Sequence, residues 1–304
     1  MKVLIHKKGL SGGPRSFKDR IIKSLNSIAD VKVVHDGKFD VELAFIRINK
    51  RHRRPVVLRL DGCYYESNRM GANKEILRSI NNSNSLIFQS EFSKKMFRKL
   101  LKLNSKRISR SRVIHNGIDL DYTNSIDPKY EKVPLSFACA ADWRTNKRPL
   151  STLNGFLNAD LDGSILYVMG KNFPKKVRDP RVRYLGAVSK EDVIGVLKSC
   201  NFLLHLCHVD SCPNIVVESL ACGLSVLHTN LGGTRELVGR NGINIKFDSW
   251  NWKPIKSVRD NIPGDIVTDG IGRLISLKKG KIDMDSLSMK TCASKYVEVM
   301  RSVV

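Results

Sequence analysis

The stretch HLCHVDSCPNIVVESLACGLSVLHTNLGGTRELV, residues 205–238, carries the most structural information in the chain. An apolar strand ends near Leu206, a loop holds Asp210, Ser211, Cys212, Pro213 and Asn214, and a helix follows from about Asn214 to Cys222. Gly223 ends that helix and the buried run LSVLHT comes next, which makes a strand, loop, helix, strand unit. Pro213 at the helix entry leaves the first backbone N–H groups directed out of the helix, where they and the positive end of the dipole form an anion site. Glu218, one turn further in, is placed to accept hydrogen bonds from two vicinal hydroxyls such as those of a ribose. Asp210 precedes it on the loop.

Working outward, the same pattern recurs on both sides. LSFACAA (135–141), SILYVMG (164–170), VRYLG (182–186), NFLLHL (201–206), LSVLHT (224–229) and INIKF (243–247) read as short buried strands with helical stretches between most of them. Towards the N-terminus, VLIH (3–6), VKVVH (31–35), VELAFI (41–46), PVVLRL (55–60), SLIFQS (85–90) and VIHNG (113–117) form a second such series. GLSGGPRSF follows the first of these, and a helix is predicted from about Ser16 to Ile28. Short apolar strands alternating with helices indicate parallel, doubly wound sheets, so the fold class is α/β. The aperiodic segment 118–134 reads as a linker. The division predicted is 1–125 for an N-terminal lobe, 126–284 for a C-terminal lobe and 285–304 for a terminal helix packing back toward the first. Trp250, Trp252, Pro254 and Pro263 break any period over 248–283.

A chain of 304 residues with 41% hydrophobic content can bury two cores. It has no run of eighteen apolar residues, and MKVLIHKKGL passes straight into strand alternation; the expectation is a soluble, non-secreted, cytoplasmic protein. Seven irregularly spaced cysteines suit free thiols in a reducing compartment. The formal charge is +24 and uneven: residues 1–125 carry 27 Lys and Arg against 11 Asp and Glu, residues 126–304 carry 26 against 18. An anionic partner of the first half follows, or else a solvated basic face.

The ordered set of motifs resembles glycosyltransferase family 4, the retaining group 1 glycosyltransferases of GT-B fold. An acidic residue, seven residues and then Glu, with PN between and ACG and GGTRELV after, looks like the donor-site signature of that family. The family usually has Glu where this chain has Asp210. ADWRTNKRP resembles the basic pair for the donor diphosphate, here Arg144 and Lys147, with two residues between them rather than the common four. HNGID (115–119) looks like the turn closing the first lobe, and GLSGGPRS (9–16) resembles the glycine loop that approaches donor phosphates through Gly12 and Gly13. Asp61, in VVLRLDG, stands where many relatives carry a His beside the reacting sugar.

The resemblance implies two Rossmann-like parallel-sheet lobes with an interlobe cleft, residues 1–125 on the acceptor side and residues 126–284 binding the donor nucleotide, and transfer of a sugar from a UDP- or GDP-sugar to an acceptor hydroxyl with retention. Glu218 would hold the ribose, Arg144 and Lys147 the diphosphate, and Cys212, Pro213, Asn214 and Ile215 the phosphate and sugar. Asp210 and Asp61 would act on the sugar or acceptor. No cofactor beyond the nucleotide-sugar donor is implied. The acceptor would be a glycan, a lipid-linked or a phosphorylated molecule.

Other readings compete. His205, Cys207, His208, Asp210 and Cys212 are metal-ligand types, but alternation sends His208 to the face opposite His205 and Cys207, and no second Cys/His pair completes a zinc set. No metal is expected. Lys50 to Arg54 and the set Lys94, Lys95, Arg98, Lys99 and Lys102 give basic faces, the latter beside Phe92, Met96, Phe97 and Leu100. Such a face could rest peripherally on an anionic membrane. A basic nucleic-acid-binding protein is the alternative, though no nucleic-acid motif occurs. A non-catalytic descendant of the same fold is a third reading.

Overall fold

The computed structural model describes all residues except Lys8 and Arg51. Among the described residues the strands form two six-stranded sheets, parallel throughout. The first has the order β2-β1-β3-β4-β5-β6, with β1 Lys2–Leu4, β2 Lys32–Val34, β3 Val41–Phe45, β4 Val56–Leu60, β5 Ser85–Phe88 and β6 Arg112–Val113. The second has the order β12-β11-β10-β7-β8-β9, with β7 Ser136–Ala140, β8 Ile165–Met169, β9 Val182–Gly186, β10 Phe202–His205, β11 Ser225–Thr229 and β12 Gly242–Ile245. In each sheet the strand order reverses beside the first strand of that series. Such a switch point opens a crevice beyond the strand C-termini, where open α/β sheets bind ligands.

The chain falls into two compact units. One comprises Met1–Asp119, Trp250–Ser257 and Asp285–Val304; the other comprises Leu120–Ser249 and Val258–Met284. Each buries its own core. In the first, Phe17, Ile21 and Leu25 of the helix Gly12–Asn26 meet Val3, Val41 and Leu43 of the sheet, and Tyr296, Val297 and Met300 of the last helix close the cluster. In the second, Phe137, Leu204 and Leu227 of the sheet pack against Leu153 and Phe156 of the helix Pro149–Asn158 and against Val267 and Ile271 of the helix Gly264–Ile275. Gly155 permits the close contact of those two helices, since a Cβ there would lie 2.1 Å from Val267.

Three local features differ from the sequence reading. The first helix begins at Gly12, not near Ser16, so Gly12 and Gly13 form its first turn, with Gly12 at φ +57°. Pro14 suits that turn because a helix start has no use for its missing N–H. The terminal segment is two helices, Met284–Leu287 and Met289–Arg301, because Ser288 accepts a hydrogen bond from the Lys290 N–H and starts a new helix. The segment without period contains the regular helix Gly264–Ile275, which starts immediately after Pro263.

The helix Glu91–Leu100 buries Met96 and Phe97 in its own unit and sets Phe92 against Trp252 at 5.7 Å between ring centroids. Its lysines and arginines stay outward, but these apolar residues are spent on internal packing. Among the described residues no helix is long and apolar enough to cross a membrane.

Candidate functional site

In the second unit, β10 runs out into the loop holding Asp210, and the turn after β7 carries Arg144 and Lys147. The two meet: Lys147 Nζ donates to Asp210 Oδ2 at 2.6 Å, with both side chains about four-fifths buried. Burial works against the Lys147 ammonium, yet the Asp210 charge outweighs it and raises the pKa above its ordinary value. Burial likewise pushes the Asp210 carboxyl up, but Lys147, His205 and the backbone N–H of Cys212 pull it below its ordinary value. The pair is therefore ionised across the neutral range.

His205, Cys207 and Asp210 present ligand atoms within 4.8 Å of one another. His205 and Cys207 share a face as alternate residues of an extended segment. Burial lowers the His205 pKa to about 3 and pushes the Cys207 thiol up to about 11, so at neutral pH both are uncharged. The Lys147 ammonium is hydrogen-bonded to Asp210 and its charge acts on Cys207, so a fixed positive charge already sits against this cluster.

What holds Lys147 and Asp210 in register is a second ion cluster that the sequence reading missed. Arg148, at φ +52° and 3% exposed, donates from Nη1 and Nη2 to Asp248 at 2.8 and 2.5 Å. His208 Nδ1 lies 3.0 Å from the same carboxylate. The His208 backbone N–H donates to the Asn146 carbonyl at 2.8 Å, which ties the two loops together directly. Asn230 pins Asp248 in turn through its backbone, accepting from the Phe247 and Asp248 N–H groups and donating to the Asp248 carbonyl. Asp248 carried no motif; a lone Asp before a tryptophan-rich segment gives no signal in the sequence.

The helix Asn214–Ala221 begins directly after Pro213, its N-cap, which has no side chain able to cap. The Pro213 carbonyl takes the N–H groups of Val216 and Val217, so those of Asn214 and Ile215 lie outside the helical ladder. Cys212 is buried beneath this entry, and Glu218 stands half-buried one turn in. Arg144 is exposed at the start of the turn Thr145–Lys147. Thus Arg144, Lys147, Asp210, Cys212, Pro213, Asn214, Ile215 and Glu218 all belong to the second unit, on the loops and helix start after β7 and β10. Glu236 is exposed on the short helix Thr234–Val238.

Asp61, Gly12 and Gly13 belong to the first unit. Asp61, just past β4, is ion-paired with the buried guanidinium of Arg59. That guanidinium also donates to Asn116 Oδ1 at 2.9 Å and lies 3.9 Å over the Phe17 ring. Asp61 is therefore a fixed carboxylate at a strand end.

Residues 157–251 match the family model described as "Glycosyl transferases group 1". No curated protein sequence matches the chain. Among solved structures, a glycosyltransferase from Rickettsia africae ESF-5 is similar at TM-score 0.67 and 11% identity, covering 99% of this chain and 97% of that one. Anabaena Alr3699/HepE, solved with UDP and glucose, is similar at TM-score 0.65 and 15% identity, covering 99% and 100%. A sucrose-phosphate synthase from Thermosynechococcus elongatus is similar at TM-score 0.65 and 11% identity, covering 99% and 94%. At these identities the likeness is one of fold: the chain has GT-B architecture, with two Rossmann-like parallel-sheet lobes.

Proposed function

We propose that this protein transfers a sugar from a nucleoside diphosphate sugar to an acceptor hydroxyl, with retention of configuration. The observation that carries the reading is the Lys147–Asp210 pair in the same unit as the entry of the helix Asn214–Ala221, on the loops that follow neighbouring strands β7 and β10. The group 1 glycosyltransferase match over residues 157–251 covers the Asp210 loop, this helix and Glu218. UDP in the Anabaena structure supports a uridine nucleotide as the first candidate.

In this reading the diphosphate sits at the helix entry, where N–H groups and the dipole favour negative charge. Arg144 and Lys147 stabilise the charge that develops on the leaving diphosphate, and their fixed position avoids reorganisation at that moment. Glu218 accepts from the ribose hydroxyls. Asp210, held ionised by Lys147, binds sugar hydroxyls and lies available to a positive anomeric centre. Asp61, fixed by Arg59, acts on the sugar or acceptor from the first unit. Cations of the protein take the electrostatic role toward the diphosphate, so the reading includes no metal.

Calorimetric titration with UDP and GDP tests this. One nucleotide is expected to bind, and Glu218→Ala and Arg144→Ala are each expected to weaken it about tenfold to a hundredfold, as for hydrogen bonds to charged groups. Wild-type affinity for neither nucleotide, or full affinity in both variants, would sink the assignment.

A further inference from the structure

Glu42 sits on the inner strand β3, flanked by β1 and β4, and is 0% exposed. A carboxylate at that depth needs a counterpart, because desolvation is costly unless it is offset. Among the described residues its ionic partners are two histidines. Oε2 is hydrogen-bonded to His52 Nε2, and Oε1 faces His6 Nε2 across 3.5 Å. Both atoms of that second pair are buried, and neither has a hydrogen-bond partner among the described residues. Buried polar atoms are rarely left so, and a facing pair of them asks for an occupant.

The separation indicates which occupant fits. A direct N–H···O bond spans about 2.9 Å, shorter than the gap. Two donors held by one tetrahedral zinc ion at about 2.1 Å each stand about 3.4 Å apart, which matches it. His52 supplies a third donor from the other oxygen's side, and the edge of the Phe39 ring, 4.9 Å away between centroids, packs against its imidazole. His6 and Glu42 also line a cavity, from which a water can complete the fourth position.

The three side chains come from separate places in the chain. His6 follows β1, Glu42 stands on its neighbour β3, and His52 lies on the connection 46–55 between β3 and β4. Adjacent parallel strands are usually joined through a helix, but this connection has none among its described residues. Its first residues are tied down, with the N–H groups of Ile46, Arg47 and Ile48 donating to the Arg59 carbonyl, the Phe45 carbonyl and Ser79 Oγ. An ion shared by Glu42 and His52 would staple its later part to the sheet. Two cations line the same cavity: Arg47 is paired with Glu75, and the Lys18 ammonium is turned to the carbonyls of His6 and Lys7. The Lys18 charge opposes a metal ion, so affinity must come from the ligand set. Two imidazoles and one carboxylate favour ions of the zinc type over magnesium or calcium, which prefer oxygen.

We propose that His6, Glu42 and His52 bind a divalent transition ion of the zinc type, which fixes the 46–55 connection to the first sheet. No metal was expected from the sequence, where only residues 205–212 offered a cluster of ligand types. The site is separate from the donor reading and does not depend on it.

The test is titration of the untagged, chelator-treated full chain with Co²⁺, then with Zn²⁺ or Mg²⁺, followed by absorption and melting temperature. One Co²⁺ per chain is expected, with the visible bands of a four-coordinate ion and no thiolate charge-transfer band. Zn²⁺ is expected to displace it and Mg²⁺ is not, and the bound ion should raise the melting temperature. Glu42→Gln and His52→Asn are each expected to weaken Co²⁺ binding more than about 100-fold, beyond the loss seen for groups that only orient ligands. His52 is partly exposed on the connection, so His52→Asn serves as the test even where Glu42→Gln does not fold. Cys207→Ser is expected to leave Co²⁺ binding unchanged. Absence of stoichiometric binding, binding that survives His52→Asn, a thiolate band abolished by Cys207→Ser, or displacement by Mg²⁺ overturns the proposal. UDP titration of the same samples reports separately on the donor reading.

Discussion

Lys147 and Asp210 are joined at 2.6 Å across 63 residues of chain, and each holds the other in its charged form. A carboxylate and an ammonium at this depth are stable only together, because either alone would carry the desolvation cost without the attraction.

Removing one member should therefore cost nearly as much as removing both. Lys147→Met and Asp210→Asn are each expected to lower kcat about 10²- to 10³-fold, the range for loss of one preorganised electrostatic group. The double variant is expected to fall little further, a strong coupling in a double-mutant cycle. Independent, additive losses in kcat would show that the pair does not act as a unit.

In the proposed site Asp248 is a positioning residue: it touches Arg148, next to Lys147, and His208, on the loop that leads to Asp210. Asp248→Asn leaves the Arg148 charge buried and unpaired, an expected loss of about 3–5 kcal/mol in unfolding free energy. Activity should drop with it, chiefly in kcat, since the turn that presents Lys147 loses its anchor. An unchanged urea midpoint and unchanged kcat would refute the role.

Acid should destabilise the protein in two steps. Burial holds His205 neutral with its pKa down at about 3, whereas the unfolded chain takes up this proton below its ordinary 6.5; stability is full above 6.5 and falls as pH drops toward 3. Arg148 and His208 outweigh burial to hold Asp248 at about 2 against an ordinary 3.8, so its contribution is full above 3.8 and is lost as pH falls toward 2. Melting temperatures measured from pH 7 to 4 should decline in the wild type and decline less in His205→Asn. An equal decline in both would contradict the neutral buried imidazole.

Gly232, at φ +140°, approaches the Asp210 backbone so closely that a Cβ would lie 2.9 Å from the Asp210 carbonyl oxygen, while the Gly233 N–H donates to that same oxygen at 2.7 Å. Gly232→Ala is expected to cost about 1–3 kcal/mol of stability through backbone strain and to displace the Asp210 loop. The check is kcat together with melting temperature. A variant with both values intact would mean that the loop accommodates the methyl group freely.

The strands were legible because burial on both faces of a parallel sheet leaves continuous apolar runs such as FLLH and SVLHT, and that signal is local. The entry at Pro213 and the end at Gly223 were equally local, since one residue blocks a backbone donor and the other permits a left-handed turn. The tertiary structure alone decided which loops meet. Lys147 faces Asp210 only because β7 and β10 are neighbours in the sheet, although β8 and β9 intervene in the chain. Asp248 belongs to the same class: its partners Arg148 and His208 are brought to it by sheet order and helix packing, which depend on contacts among distant residues. The helix Gly264–Ile275 is masked in the sequence by the prolines and tryptophans that precede it, and it settles where Gly155 leaves room for Val267.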